Sequence, residues 1–129
     1  MKEINKIIEI LELLREKCPR DKTYDIKFLL KCLRDEADEI EEAYDNDDKD
    51  NLTEEMGDVF FGILYIMKVA NEKYGIEYDD VLKRLHKKMI FRHPHVFEDP
   101  REISVEEADK IWVERKRLEK EKNIYESYD

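Results

Sequence analysis

The chain has 129 residues, 41% hydrophobic and 45% charged, with a net charge of −10, enough for one compact domain under a heavily charged surface. Three Gly and three Pro argue against a turn-rich β protein, the negative charge against a nucleic-acid partner, and the lack of any long unbroken apolar run against a membrane span. Cys18 and Cys32 form neither a disulfide framework nor a metal-ligand spacing, so a reduced, cytoplasmic setting is expected.

In chain order the sequence predicts five helices, an all-α bundle. The first covers Lys2–Lys17, with Ile4, Ile7, Ile8, Leu11 and Leu14 at helical spacing. It ends at Cys18-Pro19, because Pro restricts the residue before it. The second opens at Asp25, a candidate N-cap, and runs to about Tyr44 along a stripe of Ile26, Leu29, Leu30, Leu33, Ala37 and Ile40. Asp45–Asp50 reads as a loop. Asn51 with Glu54 resembles a capping box opening the third helix, which continues to about Tyr74 with Gly75 as its C-terminal stop. The fourth covers about Asp79–Phe91 and stops near His93-Pro94. Ser104 with Glu107 is a second capping box, opening a fifth helix to about Lys122. The single domain is expected over 1–122, with 123–129 a loose tail.

From Val59 to Ala70 the third helix is apolar on almost every side, broken only by Lys68. Such a helix has to be covered all round. A monomer of five short helices has little to cover it with, so a homo-oligomer, most simply a symmetric dimer, is expected.

The most informative feature is a pair of pairs. Glu36-x-x-Glu39 and Glu55-x-x-Asp58 each have i,i+3 spacing, which puts both carboxylates on one helix face. Two such pairs on adjacent helices converge four oxygen ligands, suited to a hard cation such as Mg²⁺. The competing reading is chance spacing in an acidic chain, with acids complementing helix N-termini; the apolar neighbours Phe28, Cys32 and Ala43 favour the metal site. Gly62 lies one turn from Asp58, and a helix-interior Gly implies close approach of a neighbouring helix or a ligand.

Charge is also unevenly placed. Residues 35–58 carry thirteen acids against Lys49 alone, while residues 83–95 carry five Lys or Arg, all three His and no acid. That polarity suits a cation-bridged polyanion such as a nucleoside triphosphate, although helix faces that pair with each other would look the same. Lys88 and Arg92, at i,i+4, could hold phosphate oxygens; on spacing alone, surface charge is the stronger reading. Trp112 and Lys116 form another i,i+4 pair, with Trp112 either core or a stacking face for a base. His93 and His95 flank Pro94 and read as a structural turn.

Taken together, these residues resemble a known family. Asp35-Glu36-Ala37-Asp38-Glu39 followed by Glu55-Met56-Gly57-Asp58 is similar to the EExxE…ExxD signature of the MazG-type nucleoside triphosphate pyrophosphohydrolases. Lys88 to Phe97 resembles that family's K-M-x-x-R-H-P-H-V-F stretch, Cys18-Pro19-x-Asp21 its C-P-W-D loop, and Trp112-x-x-x-Lys116 its C-terminal W-x-x-x-K. The resemblance implies an all-α fold, Mg²⁺ dependence (with Mn²⁺ able to substitute), and hydrolysis of a nucleoside triphosphate to monophosphate and pyrophosphate. It implies Glu36, Glu39, Glu55 and Asp58 as metal ligands, Lys88 and Arg92 on phosphates, Trp112 and Lys116 near the nucleotide, and a dimer or higher assembly.

Three departures stand out. Asp35 replaces the first Glu and is assigned a supporting place behind the ligands. Arg20 replaces the Trp of C-P-W-D, and Thr23-Tyr24-Asp25 replaces a Gln-Thr-His, so base preference does not carry over. A narrow-substrate relative, acting on dUTP, dCTP or phosphoribosyl-ATP, and a non-catalytic helical nucleotide-binding or oligomerisation module stay open as alternatives.

Overall fold

The computed structural model describes residues 2–122, which contain six helices and no strand. The tail expected over 123–129 lies outside them. Residues group into two compact units that divide between Tyr78 and Asp79.

The first unit comprises α1 (Lys2–Lys17), a 3₁₀ turn (Asp21–Thr23), α2 (Ile26–Asp45) and α3 (Lys49–Tyr74). Helices α2 and α3 pack most extensively on each other. The connection between them is three residues long, which makes them antiparallel neighbours. Asp47 takes a left-handed conformation, φ 52°, which Asp tolerates better than most residues. Its N–H reaches Tyr44 O at 3.0 Å and that of Asp48 reaches Ala43 O at 2.9 Å, a Schellman closure of α2.

Because the chain reverses so tightly, α3 begins earlier than its sequence suggests. The cap is the Asp48 carboxylate, which accepts the Asn51 N–H at 3.1 Å, and not a box built on Asn51 and Glu54. At the other end Gly75 sits at φ 72°, where a Cβ would be strained. Asp25 caps α2 as expected, accepting from the Phe28 N–H at 2.8 Å.

The unit closes around Leu11, Leu29, Leu64, Tyr65 and Val69. One cation fastens the loop between α1 and α2 onto this core. Arg15 Nη1 donates to Asp21 O at 2.6 Å and to Tyr24 O at 3.0 Å, while Nε and Nη2 fork onto Glu72 of α3. Tyr65 Oη donates to the buried Asp21 Oδ1 at 2.9 Å, and burial, first, then this bond push the Tyr65 phenol up.

The second unit comprises α4 (Tyr78–Phe91) apart from its first residue, α5 (Pro94–Phe97) and α6 (Val105–Lys122). The sixth helix, absent from the sequence reading, is α5, a single turn with Pro94 at its first position, where a missing N–H costs nothing. Ser104 caps α6 as expected, its Oγ accepting the Glu107 N–H at 3.1 Å. Among the described residues no helix is long and apolar enough to cross a membrane.

Candidate functional site

Three carboxylates meet between α2 and α3. One oxygen each from Glu36, Glu39 and Glu55 lie within 4.8 Å of one another. The i,i+3 spacing on α2 aims Glu36 and Glu39 at α3, and Glu55 lies on the buried side of α3. Like charges this close repel unless something positive joins them. Glu36 Oε2 and Glu55 Oε2 are buried without a hydrogen-bond partner. Contact with Glu39 and then Glu36, followed by burial, pushes the Glu55 carboxyl up to about 8. Burial, first, raises Glu36 as well, with the charges of Glu39 and Asp58 adding to it.

The all-oxygen donor set and two orphaned buried oxygens fit a hard divalent cation. Asp58, one turn beyond Glu55 on α3, is exposed and stands outside the converged three, though near enough for its charge to raise Glu36. Asp35 is exposed on α2.

Glu36 and Asp58 also border a cleft of about 890 Å³ within the first unit. Its walls are apolar and aromatic: Leu14, Leu29, Leu33, Phe61 and Tyr65, with Tyr24 and Phe28 stacked at 5.1 Å between ring centroids. Gly62 lines it too. A Cβ there would meet Leu33 Cδ1 at 3.7 Å, ordinary contact. Close approach of a neighbouring helix is therefore not what Gly62 serves. A concave apolar site with a few polar groups at its ends is the usual form of a small-molecule site.

In the second unit Arg92 is buried. Its Nε and Nη2 donate to Glu119 Oε1 and Oε2 at 2.9 and 2.8 Å, and its guanidinium lies 4.5 Å from the Trp112 ring centroid. His93 packs on the same indole at 5.6 Å. Lys88 is half-buried on α4 and Lys116 is exposed on α6.

Sequence reasoning missed Glu119, Arg15 and the Tyr65–Asp21 bond. Arg92–Glu119, Arg15–Glu72 and Tyr65–Asp21 each join residues on different elements far apart in the chain, and no local spacing carries that signal.

Comparison with known proteins adds the decisive observation. Residues 25–97, which span both acidic pairs and the His-Pro-His run, match the MazG nucleotide pyrophosphohydrolase domain. The chain belongs to the MazG family. It is 32% identical over 123 residues, 94% of its length, to the nucleoside triphosphate pyrophosphohydrolase/pyrophosphatase MazG of Thermotoga maritima, covering 48% of that protein. It is 28% identical over 93% of its length to the nucleoside triphosphate pyrophosphohydrolase of Escherichia coli, covering 47% of it. The chain thus spans about half the length of these MazG relatives. The crystal structure of a MazG-related protein from Thermotoga maritima superposes with a TM-score of 0.79 at 37% identity, covering 88% of this chain and 98% of that one. The all-α fold expected from the MazG resemblance is the fold observed.

Proposed function

We propose that this chain hydrolyses nucleoside triphosphates to the monophosphate and pyrophosphate, using Mg²⁺ held by Glu36, Glu39, Glu55 and Asp58. The observation that carries the reading is the trio of converged carboxylates with two buried, partnerless oxygens at the border of an apolar cleft. Family membership and the names of the MazG relatives support it. A divalent cation bound there supplies charge neutralisation for the triphosphate and a lowered pKa for water.

The chain's own residues then divide the work. Glu36, Glu39 and Glu55 provide oxygen ligands, and their closeness favours the protonated form of Glu55 until positive charge arrives beside it. Asp58, exposed and facing the cleft, completes the set or takes the proton from the attacking water. Asp35, exposed on α2, takes a supporting role on the MazG resemblance alone. The apolar cleft takes the nucleoside and excludes water from it.

Lys88 holds phosphate oxygens, with Trp112 and Lys116 near the nucleotide; these assignments rest on the MazG resemblance. Arg92 contacts phosphate only by exchanging its Glu119 fork for phosphate oxygens.

A homodimer completes the reading. Met56, Phe60 and Ile63 leave an apolar strip on α3 that is 51%, 42% and 39% exposed, and a second copy is the simplest cover. Such an activity would serve to clear or adjust nucleotide pools.

The test is pyrophosphate release from the eight common ribo- and deoxyribonucleoside triphosphates, with Mg²⁺ and with EDTA. Release that requires Mg²⁺, with Mn²⁺ substituting, is the expected result. A profile confined to one substrate would make it a narrow pyrophosphohydrolase. No release from any would sink the catalytic reading.

A further inference from the structure

We infer that Arg20 reads the base, and that the site prefers bases carrying a carbonyl where others carry an amino group: guanine over adenine, and uracil over cytosine. The inference rests on the proposed use of the cleft for the nucleoside.

The first observation is orientation along the cleft. Phe28 and Glu36 both line it from α2, eight residues apart, or about 12 Å along the axis at 1.5 Å per residue. Asp58 and Tyr65 line it from antiparallel α3, and Tyr65 is bonded to Asp21. The carboxylate end and the loop end are therefore separated by about the length of a nucleoside. With phosphates at the carboxylate end, the base edge meets the loop.

The second observation is what the loop presents. Arg20 is the one cation among the residues lining the cleft. Its guanidinium finds no hydrogen bond or ion pair among the described residues. Its backbone, in contrast, is fixed. The Thr23 hydroxyl and N–H both donate to Arg20 O, at 2.7 and 3.1 Å, and Arg15 and Tyr65 hold the turn that follows. Here an open donor fork stands on a rigid root at the end of an apolar slot.

The third observation is chemical. A guanidinium only donates. It matches a base edge that accepts, such as O6 and N7 of guanine, bidentately, or O4 of uracil. Against the exocyclic amine of adenine or cytosine it would set donor against donor. Asp21, the acid beside it, is already taken by the Tyr65 hydroxyl and offers less to an amine.

The experiment measures kcat/KM for pyrophosphate release from GTP, ATP, UTP, CTP and their deoxy counterparts, in wild type and Arg20→Met. Binding of the α,β-methylene analogues of the same nucleotides, whose scissile bond cannot be cut, is followed by calorimetry in Mg²⁺. Arg20 is exposed on a loop, so folding is not at stake, and circular dichroism checks it. Wild type should favour the carbonyl base in each pair by about ten-fold, within the discrimination of a good bidentate contact. The change should lie mostly in KM, and Arg20→Met should bring both ratios close to one. Equal ratios in the two proteins, or an equal loss for all substrates, would overturn the base-reading role while leaving the hydrolase intact. Carbonyl-selective binding that disappears in Arg20→Met, with no release from any nucleotide, would uphold the inference and sink the catalytic reading. Neither release nor binding would remove both.

Discussion

Glu55 is the residue on which the site turns, and its chemistry gives a pH prediction with a definite sign. Its carboxyl rises from an ordinary 4.5 to about 8 because Glu39, Glu36 and burial all favour the protonated form. A folded pKa raised above the unfolded one stabilises fully below the unfolded value, and that stabilisation is lost as pH rises through the folded value. The cation-free protein should therefore lose stability between about pH 4.5 and 8 relative to Glu55→Gln. Mg²⁺ should restore wild type at pH 8 and leave the variant unmoved. Melting temperatures in EDTA and in Mg²⁺ check this; parallel pH curves for the two proteins would show that Glu55 does not sense its neighbours. Glu39→Gln and Asp58→Asn should each lower turnover by about 100-fold or more with helicity retained by circular dichroism. Activity within a few-fold of wild type would remove that residue from the site. The acidic pairs were legible in sequence because i,i+3 spacing is a local rule. Which three of the four would converge was not, since that depends on how far α3 is offset along α2.

Among the helices, their existence and type could be read from apolar periodicity, and the departures have local causes. Helix α3 starts early because Asp47 tolerates φ 52° and reverses the chain in three residues. That sets Asp48, three residues before the expected box, against the first free N–H groups. Asp48→Ala should cost about 1 kcal/mol, the usual value of an N-cap, read from urea denaturation; no loss would mean that Asn51 caps after all. The α5 turn was hidden because four residues are too few to show a period. The largest element-scale effect should come from α6. Arg92 and Glu119 are both buried, and breaking a buried pair by removing one partner strands a charge at about 3–5 kcal/mol. Glu119→Ala should destabilise by that order. Arg117→Ala, whose partners Glu114 and Glu121 are exposed on the same helix, should leave stability almost unchanged, because water screens such pairs. Similar costs for the two would show that the Arg92 fork is open to solvent, and so available to phosphate.

For the whole molecule the question is what covers α3. Its sequence is apolar nearly all round, yet only Glu55, Leu64, Tyr65 and Val69 are buried along it. Met56, Phe60 and Ile63 fall at i, i+4 and i+7, on one face, and are not covered by the other helices of the first unit. Singly exposed apolar residues need no explanation, but an ordered strip on the least polar helix does. A stable interface of ordinary size buries about 800 Å² on each partner, more than three side chains supply. Ile10 and Leu13 of α1 are also exposed in this unit. Sedimentation should find wild type at twice the 15.7 kDa chain mass or a higher multiple. Phe60→Glu should shift it to the monomer, because two-fold symmetry plants the new charge twice in one interface. Helicity of the variant should persist, since Phe60 lies outside the cluster of buried core residues. A monomeric wild type would end the dimer reading, whereas a dimeric Phe60→Glu would move the contact to another face. Loss of activity in a monomeric, folded variant would show that the carboxylate end of the cleft depends on the partner for its closure.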